Sequence, residues 1–291
     1  MRLVVRQSVF VVPAICSVAR ALGFYEAEGV DVQDATTTSS AAQWADLVDG
    51  SVDVAITSTD NVFAWNGGGP TIVQIAQVET TTDLALVLRP GLAALGETGR
   101  SRLAVDAATN GFAIVAYAMM ERLGFARGGY EVVEMGGVRE RYDAVLAGDA
   151  DLTLVAPPLD EAGAPLGMRV LMRTSDVEPD YPGLGIVVRR DHLDGPSEAI
   201  ARYLAALERA RLWISTTPHE AVADLLLGAG HGLGAAASVV RHNPSTLRAT
   251  LGGLAVLADL RSRMSLTVAD APSPSDLVLG DHPVLVVLPT S

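Results

Sequence analysis

The sequence repeats one pattern of alternating strands and helices in two stretches of similar length, residues 2–57 and residues 102–155. In each stretch the hydrophobic periodicity predicts the order strand, helix, strand, helix, strand. Three landmarks recur in the same order: Gly23-Phe24 with Gly124-Phe125, Gly50 with Gly148, and Asp53 with Asp151. Landmarks that match in register favour a duplicated βαβαβ unit over an unrelated run of strands and helices, which remains the alternative.

The predicted strands at residues 3–5, 52–56, 103–105 and 152–155 are continuously apolar. A sheet with one solvated face would alternate apolar and polar residues, so we expect parallel strands covered on both faces. Gly50 and Gly148 follow predicted helices, where a left-handed residue ends the helix and glycine adopts that conformation without steric cost. Loops at the carboxyl ends of such strands are the expected place for a ligand.

Two further apolar segments, residues 84–88 and 186–189, are expected to connect the two copies as a hinge. The sequence therefore predicts an α/β protein of two similar lobes, each a parallel-rich sheet with flanking helices, joined by two crossing strands. Lobe one would comprise residues 1–85 and 187–291, and lobe two residues 86–186. A ligand would then be held in a cleft between the lobes.

The remaining segments are predicted from helical spacing and turn residues. A glycine-rich turn is expected at residues 67–70. Helices are expected at residues 196–213, 218–227, 235–242 and 244–264, followed by a final apolar strand at residues 284–288.

Composition excludes several classes of function. The chain has 34 acidic and 21 basic residues, a net charge of −13, and no lysine. A nucleic-acid partner is therefore not expected, because phosphate binding requires an excess of cationic side chains. The absence of lysine also excludes a Schiff-base lysine and the lysine of a P-loop.

No metal and no cofactor are expected. The single cysteine, Cys16, cannot form an internal disulfide, and no CxxC, HExxH or EF-hand spacing is present. All five histidines follow the second repeat.

The sequence contains no apolar run long enough to cross a membrane, so membrane insertion is not expected. Arg2 already opens a predicted strand, and no secretory leader or lipid-anchor cysteine precedes it. With Met1 as the natural start the chain is expected in the cytoplasm, whereas removal of a leader would place it outside the cytoplasm.

Hydroxyl groups are concentrated at two predicted strand ends in the first repeat. Such side chains cap helices, and a helix amino terminus with free N–H groups also binds carboxylate, sulfonate or carbonyl oxygens. Both interpretations stay open. The candidate ligand contacts in this repeat are Ser8, Phe10, Thr37, Thr38, Ser39, Ser40, Thr57, Ser58, Thr59 and Asn61.

The corresponding loops of the second repeat provide a further set of candidates. Arg139 and Arg141 could clamp an anion or could pair with Glu134, Glu140 and Asp143 on a solvated helix. The solvated arrangement is favoured for Arg141, and both remain open for Arg139. The candidate contacts here are Thr109, Asn110, Gly111, Phe112, Gly137, Arg139, Pro157 and Tyr181.

Several phrases of the sequence together resemble one known fold family. They are GFYEAEGVDV, LVDGSVDVAI, LAVDAATNGFA, GGVRERYDAVLAGDADLTL, and YPGLGIVVRRDHL before the helix that ends in ERARLWI. The chain resembles type II periplasmic binding proteins, in particular the substrate-binding proteins of ABC transporters for nitrate, sulfonate, taurine and thiamine-pyrimidine precursors. The resemblance covers about residues 2–230.

This resemblance implies a substrate-binding protein that holds an organic anion or a heterocycle. It implies ligand contacts from Thr37 to Ser40, from Thr57 to Asn61 and from Asp106 to Phe112. An ABC permease would be the partner if the chain is exported. Exported members carry a leader or a lipid-anchor cysteine, which this sequence does not show ahead of its first strand.

The chain also resembles soluble enzymes that share this fold, namely sulfinate desulfinases, chorismate dehydratase and decarboxylases of hydroxylated phthalates. As such a lyase or hydrolase, the chain could use Cys16 as a thiolate of lowered pKa, or Asp106 or Asp60 as an acid or base. The yeast-type pyrimidine synthase is disfavoured, because its cofactor lysine and cysteine-rich stretch have no counterpart here. A cytoplasmic sensor or pathway chaperone that binds without turnover is the third class.

Overall fold

The computed structural model describes residues 2–67, 71–97, 99–157, 159–194, 197–267, 271–280 and 282–289. It divides into two compact units. Unit 1 comprises Met1–Thr80, Pro182–Leu254 and Val268–Ser291, and unit 2 comprises Thr81–Tyr181 and Ala255–Thr267. The sequence-based lobe boundaries, residues 1–85 with 187–291 and residues 86–186, stay a prediction.

Ten strands are found in the described ranges. They are β1 (Leu3–Val9), β2 (Val30–Thr36), β3 (Val54–Ser58), β4 (Ile72–Gln77), β5 (Ala85–Leu88), β6 (Arg102–Val105), β7 (Glu131–Glu134), β8 (Leu152–Val155), β9 (Arg169–Arg173) and β10 (Leu184–Arg189).

The α-helices are α1 (Ala14–Ala21), α2 (Phe24–Ala27), α3 (Ser40–Asp49), α4 (Asn61–Ala64), α5 (Gly111–Arg122), α6 (Val138–Ala147), α7 (Leu159–Gly163), α8 (Ser197–Thr216), α9 (His219–Gly228), α10 (Leu233–Arg241), α11 (Leu251–Arg263) and α12 (Pro274–Leu277). Short 3-10 helices occur at Ala164–Leu166, Thr174–Asp176, Arg190–Asp194 and Pro283–Leu285. No helix in the described ranges is both long and apolar enough to span a membrane.

The two units contain sheets of the same topology. The strand order is β2-β1-β3-β10-β4 in unit 1 and β7-β6-β8-β5-β9 in unit 2. In each sheet the first three strands are parallel and the fourth is antiparallel to both of its neighbours. The predicted fold class, α/β with two similar parallel-rich sheets and flanking helices, is therefore confirmed, and each sheet is mixed because of its antiparallel strand.

The antiparallel strands lie in the two apolar segments, residues 84–88 and 186–189, that were predicted to cross between the lobes. β5 is the first strand after the chain enters unit 2 at Thr81, and it pairs with β8 and β9. β10 is the first strand after the chain returns to unit 1 at Pro182, and it pairs with β3 and β4. Each sheet is therefore completed by a strand from the segment that links the units.

The two copies share an aspartate that fixes their register. Asp53 accepts a hydrogen bond from the backbone N–H of Arg6 at 2.8 Å, and Asp151 accepts one from the backbone N–H of Arg102 at 2.8 Å. Arg6 is therefore the structural counterpart of Arg102. β1 extends further at its amino end than β6, so residues 2 and 102, which open the two repeated stretches, are not equivalent positions.

Apolar burial holds each unit together. In unit 1, α8 presents Ile200, Tyr203, Leu207 and Ile214 to the core, at helical spacing. In unit 2, α5 is buried on all sides from Ala113 to Met120, which explains its continuously apolar sequence.

The end of the chain differs from the prediction in two places. The helix expected at residues 244–264 begins only at Leu251, because Thr246 Oγ1 accepts a bond from the Arg248 N–H and donates to the Pro289 carbonyl. Such side-chain bonds compete with helical ones.

The prediction of a strand at residues 284–288 is also wrong. Pro283–Leu285 forms a 3-10 helix, with the Val284 N–H bonded to His282 Nδ1. The Arg248 guanidinium donates to the carbonyls of Leu285 and Leu288, so these carbonyls have hydrogen-bond donors without a neighbouring β-strand. The glycine-rich turn predicted at residues 67–70 lies mostly outside the described residues, as does Pro196 at the predicted start of α8.

Gly50 and Gly148 end α3 and α6 with φ angles of 80° and 85°, as predicted. We expect Gly148→Ala to lower the free energy of unfolding by about 1 kcal/mol, because a Cβ there is strained by the left-handed backbone. No neighbouring atom lies within 4 Å of the added methyl, so the effect isolates the backbone conformation. Urea denaturation measures it.

Gly228→Ala is the matched control, since Gly228 ends α9 without a positive φ and also has open space around it. The Gly228→Ala substitution should leave the free energy of unfolding unchanged or raise it slightly. Equal free energies of unfolding for Gly148→Ala and Gly228→Ala would contradict the backbone strain expected at Gly148.

Candidate functional site

The hydroxyl cluster of unit 1 lies after β2, at the carboxyl edge of the parallel strands. Ser39 Oγ accepts from the Ala42 N–H at 3.1 Å and so caps α3. Thr37 is buried and donates its hydroxyl to the Ser39 carbonyl at 3.0 Å. Thr38 is exposed, and Ser39 and Ser40 are half-buried. Capping thus uses part of the cluster, and Thr38 and Ser40 retain solvent access.

The turn after β3 is held mainly by internal bonds. Asn61 Nδ2 donates to Thr57 Oγ1 at 2.7 Å, and Thr59 Oγ1 donates to the Gly183 carbonyl at 2.7 Å. These three side chains are buried, as is Asp60, whereas Ser58 is half-buried. Their first role is to shape the edge of the sheet.

The end of β1 combines a buried hydroxyl with exposed apolar side chains. Ser8 is fully buried, and its Oγ has no hydrogen-bond partner among the described residues. Phe10 and Val11 follow the strand and are both exposed. The sequence did not single out Val11, which extends the apolar surface of Phe10.

Gln43 joins the ends of two strands in unit 1. Its side chain is fully buried, and Nε2 donates to the carbonyls of Ser8 on β1 and Ile56 on β3, both at 3.1 Å. Gln43 is the fourth residue after Ser39, the residue that caps α3. Sequence analysis did not identify it.

Arg141 occupies the same position in unit 2. It is the fourth residue after Gly137, which begins α6. Its Nε donates to Thr153 Oγ1 at 3.1 Å, and Thr153 Oγ1 in turn donates to the Ala104 carbonyl at 2.9 Å. Arg141 therefore connects the ends of β8 and β6 as Gln43 connects those of β3 and β1.

Arg141 is a buried cation. Only 2% of its surface is exposed, and it forms no salt bridge with a carboxylate of the described residues. Burial lowers the pKa of the guanidinium to about 10, while the nearby charges of Asp106 and Glu140 partly oppose this shift. The solvated arrangement favoured from the sequence is wrong for Arg141, because its side chain points under the helix.

Arg139, by contrast, lies on the solvated side of α6. Its side chain is 68% exposed and pairs with Asp143 at 3.1 Å, one turn along the helix. The guanidinium also lies over the ring of Tyr142, 5.5 Å from its centre. A ligand contact from Arg139 stays a prediction.

The turn after β6 supplies polar groups at the same edge of unit 2. Asn110 Oδ1 caps α5 by accepting from the Ala113 N–H at 2.9 Å, and Asn110 Nδ2 donates to Asp106 Oδ2 at 3.0 Å. The carbonyl of the exposed Thr109 accepts from Arg261 Nη2 at 3.2 Å. Gly111 is buried and Phe112 is half-buried.

The remaining candidates of unit 2 are Gly137, Pro157 and Tyr181. Gly137 and Pro157 are half-buried, at the starts of α6 and of the segment after β8. Tyr181 is buried and is the last residue of the segment Thr81–Tyr181. Contacts of these residues with a ligand stay a prediction.

Cys16 is fully buried in α1, beside Tyr25 and Tyr203. Burial raises the pKa of its thiol to about 12. The expectation of a thiolate of lowered pKa is therefore wrong. The partial positive charge of a helix start does not compensate for loss of water around the sulfur.

No group of three or more His, Cys, Asp or Glu side chains in the described part of the chain could hold a metal ion.

Solved structures with the same architecture are numerous, and their sequences differ widely from this one. A ligand-binding component of an ABC-type import system from Staphylococcus aureus, solved with zinc bound, has a TM-score of 0.76 at 14% identity, covering 96% of this chain and 97% of that one. The alkanesulfonate-binding protein SsuA from Xanthomonas axonopodis pv. citri, bound to MOPS, has a TM-score of 0.75 at 14% identity, covering 96% and 98%. The desulfurization enzyme DSZB has a TM-score of 0.68 at 14% identity, covering 94% and 96%.

These similarities define the class of the protein as the periplasmic-binding-protein-like α/β fold. The family model described as NMT1/THI5 like matches residues 13–221, which is more than two thirds of the sequence. The chain belongs to the NMT1/THI5-like family. A comparison with curated proteins gave no match.

We expect the thiol of Cys16 to be unreactive in the folded protein. At pH 8 a thiol-disulfide reagent such as 5,5′-dithiobis(2-nitrobenzoate) should release no chromophore until the protein is unfolded, because the protonated, buried sulfur is a poor nucleophile. The guanidinium-unfolded protein is the control, since it should react stoichiometrically. Rapid reaction of the native protein would restore Cys16 as a catalytic candidate.

We expect Arg141→Met to lower the free energy of unfolding of the ligand-free protein by about 1 kcal/mol, because Thr153 Oγ1 and the carbonyls of Gly136 and Leu154 lose their donor, and this loss exceeds the gain from removing a buried charge. A lowered pKa means that the folded state holds the proton less tightly than the unfolded state. The cost of burying the charge is therefore complete below about pH 10 and fades as the pH rises above that value. Urea titrations of both proteins at pH 7 test this, with Arg139→Met as the control, and a gain of stability in Arg141→Met would contradict it.

Proposed function

We propose that the chain is a small-molecule binding protein whose ligand carries an anionic group recognised by Arg141. The observation that supports this proposal most strongly is the burial of that guanidinium at the carboxyl edge of the unit 2 sheet, without a salt bridge to a described carboxylate.

A buried cation that nearby carboxylates compensate only in part costs free energy in the ligand-free protein, and an anionic ligand would recover it. The guanidinium has five N–H groups, and three donate to Thr153 Oγ1 and to the carbonyls of Gly136 and Leu154. Two N–H groups remain for a ligand. A carboxylate or sulfonate, with two or three acceptor oxygens, matches this planar pair of donors.

The local backbone also favours an anion near Arg141. Gly136 and Gly137 lead into α6 and carry no side chains, so they leave the approach to the amino end of the helix open. Gly136 is exposed and has a φ of 81°. The N–H groups of the first turn of α6 would add their partial positive charge to that of the guanidinium.

In unit 1 the ligand contacts expected from the sequence stay a prediction, and accessible groups at the carboxyl edge are the candidates that solvent reaches. Thr38, Ser40 and Ser58 offer hydroxyl groups there, and Phe10 offers an apolar surface. The buried Ser8, Thr37, Thr57, Thr59 and Asn61 would act by shaping this edge. The cleft expected from the sequence stays a prediction.

The related structures support a role in uptake. Three are sulfonate-binding proteins named SsuA, one of them described as belonging to a putative sulfonate ABC transporter, and another is the periplasmic nitrate-binding protein NrtA from Synechocystis PCC 6803. We therefore propose an organic anion, such as a sulfonate or a carboxylate, as the ligand class. An ABC permease is the proposed partner of an exported form of the chain.

The proposal is tested by thermal melting with sulfonates, aromatic carboxylates, pyrimidines and cationic amines. We expect at least one acidic compound to raise the melting temperature of the wild-type protein. In Arg141→Met this shift should be lost, with affinity reduced about a hundredfold, because one charge-assisted pair contributes roughly 2–3 kcal/mol.

Arg122→Met is the matched control, since it removes the same charge from unit 2 at an exposed position that is not a predicted ligand contact. It should bind as tightly as the wild type. A shift with cationic amines alone, or equal effects of the two variants, would overturn the assignment of Arg141.

The structural similarity to a desulfurization enzyme favours one second candidate, a lyase or hydrolase on a small organic acid, with Asp106 as an acid or base at the same edge. Prolonged incubation of any ligand with the protein, followed by mass spectrometry, separates the two. Unchanged ligand supports the binding protein, whereas a product lost in Asp106→Asn would support the enzyme.

A further inference from the structure

Unit 1 contains a cavity of about 730 Å³ that includes none of the predicted ligand contacts. It lies where β4 begins at Ile72 and where the antiparallel β10 ends at Arg189. This is the amino edge of the parallel strands, opposite the edge that carries Thr38 and Phe10. Its volume falls within the range of small-molecule sites, roughly 300–1,000 Å³.

The walls of the cavity are largely aromatic and aliphatic. Trp44 and Val48 lie one turn apart on α3, and 41% and 42% of their surfaces are exposed. Trp65 lines the cavity from the segment after α4, and the buried Ile72 and Leu279 contribute apolar surface. An exposed tryptophan beside an apolar floor provides a surface on which a flat ring can stack.

His282 also lines this cavity and brings a ring nitrogen to it that can donate a hydrogen bond. Its Nδ1 accepts a bond from the Val284 N–H at 3.2 Å, so the neutral ring carries its proton on Nε2. That Nε2–H has no hydrogen-bond acceptor among the described residues. An acceptor atom on a ligand would satisfy it.

The charged groups around the cavity balance one another. Arg189 and Arg190 provide two positive charges, and Asp191 and Asp194 provide two negative charges. Arg189 Nε is bonded to Asp191 at 2.9 Å, and its Nη1 donates to the Val48 carbonyl at 2.6 Å. The cavity therefore offers no excess cation, in contrast to the surroundings of Arg141.

From this combination we infer a second binding site in unit 1, for a planar, uncharged heteroaromatic molecule with a hydrogen-bond acceptor in its ring. The ring stacks on Trp44, and the acceptor receives the Nε2–H of His282. A permanently anionic molecule is not favoured, because no unbalanced positive charge is present to compensate it.

Quinoline, indole and benzenesulfonate are suitable probes, since they share aromatic area but differ in acceptor and charge. Saturation-transfer NMR and calorimetry with the full chain at pH 7.5 should detect saturable binding of quinoline, weaker binding of indole, and no binding of benzenesulfonate at this cavity. Trp44→Ala should weaken quinoline binding about tenfold, as expected for loss of one stacking surface. His282→Asn, which keeps an acceptor for the Val284 N–H, should weaken quinoline binding and leave indole binding unchanged.

Two control variants separate this site from other effects. Leu233→Ala removes another exposed apolar side chain of unit 1 and should leave quinoline binding unchanged. Arg141→Met should also leave it unchanged, so that failure of the anion site and failure of this one are distinguishable. Equal affinities of quinoline for Trp44→Ala and Leu233→Ala, or no saturable binding of quinoline to the wild type, would overturn the inference.

Discussion

The architecture depends on how the ends of the parallel strands are joined beneath the helices that follow them. Strand-end carbonyl groups covered by a helix lose contact with water, and each needs a hydrogen-bond donor. Gln43 meets this need in unit 1, with one amide group bonded to the carbonyls of Ser8 and Ile56. Arg141 meets it in unit 2, directly at Leu154 and through the hydroxyl of Thr153 at Ala104.

The two copies solve the same structural problem with different chemistry. A glutamine amide satisfies the carbonyls without charge. An arginine satisfies them and also leaves a positive charge under α6, with its pKa lowered by burial. One copy therefore keeps a neutral scaffold, while the other places a buried positive charge at the equivalent position. The anion contact that we propose for Arg141 thus uses a position whose first requirement is structural.

Much of the fold could be predicted from the sequence because it depends on local patterns. Continuous apolar runs predicted the buried parallel strands, and Gly50 and Gly148 predicted two helix ends through the one backbone conformation that glycine adopts freely. Strands β5 and β10 were also predicted from continuous apolar runs. The equivalence of Arg6 and Arg102 was not predicted, because residues 2–5 and 102–105 have similar sequences. It is visible only through the backbone bonds of Arg6 and Arg102 to Asp53 and Asp151.

The candidate site could be predicted less well, because it depends on burial. Helical spacing alone placed Arg141 among charged neighbours, and nothing local shows that its side chain turns under the sheet edge. One signal was present in the sequence: Gln43 and Arg141 occupy the same place in the two repeats, counted from the aspartates Asp53 and Asp151. A polar residue at a position that faces a sheet in both copies indicates a shared internal bond. The 3-10 helix at Pro283–Leu285 was missed because its apolar residues resemble a strand, whereas Arg248 and His282 satisfy its backbone groups.

The placement of β10 between β3 and β4 has a consequence for biosynthesis. As the ribosome releases residues 1–80, the nascent chain contains β3 and β4 but not the strand that separates them in the finished sheet. That gap is filled only after the intervening hundred-odd residues have been translated. A truncated product ending within unit 2 would therefore expose two unpaired strand edges, and such a fragment is a natural substrate for chaperones and proteases.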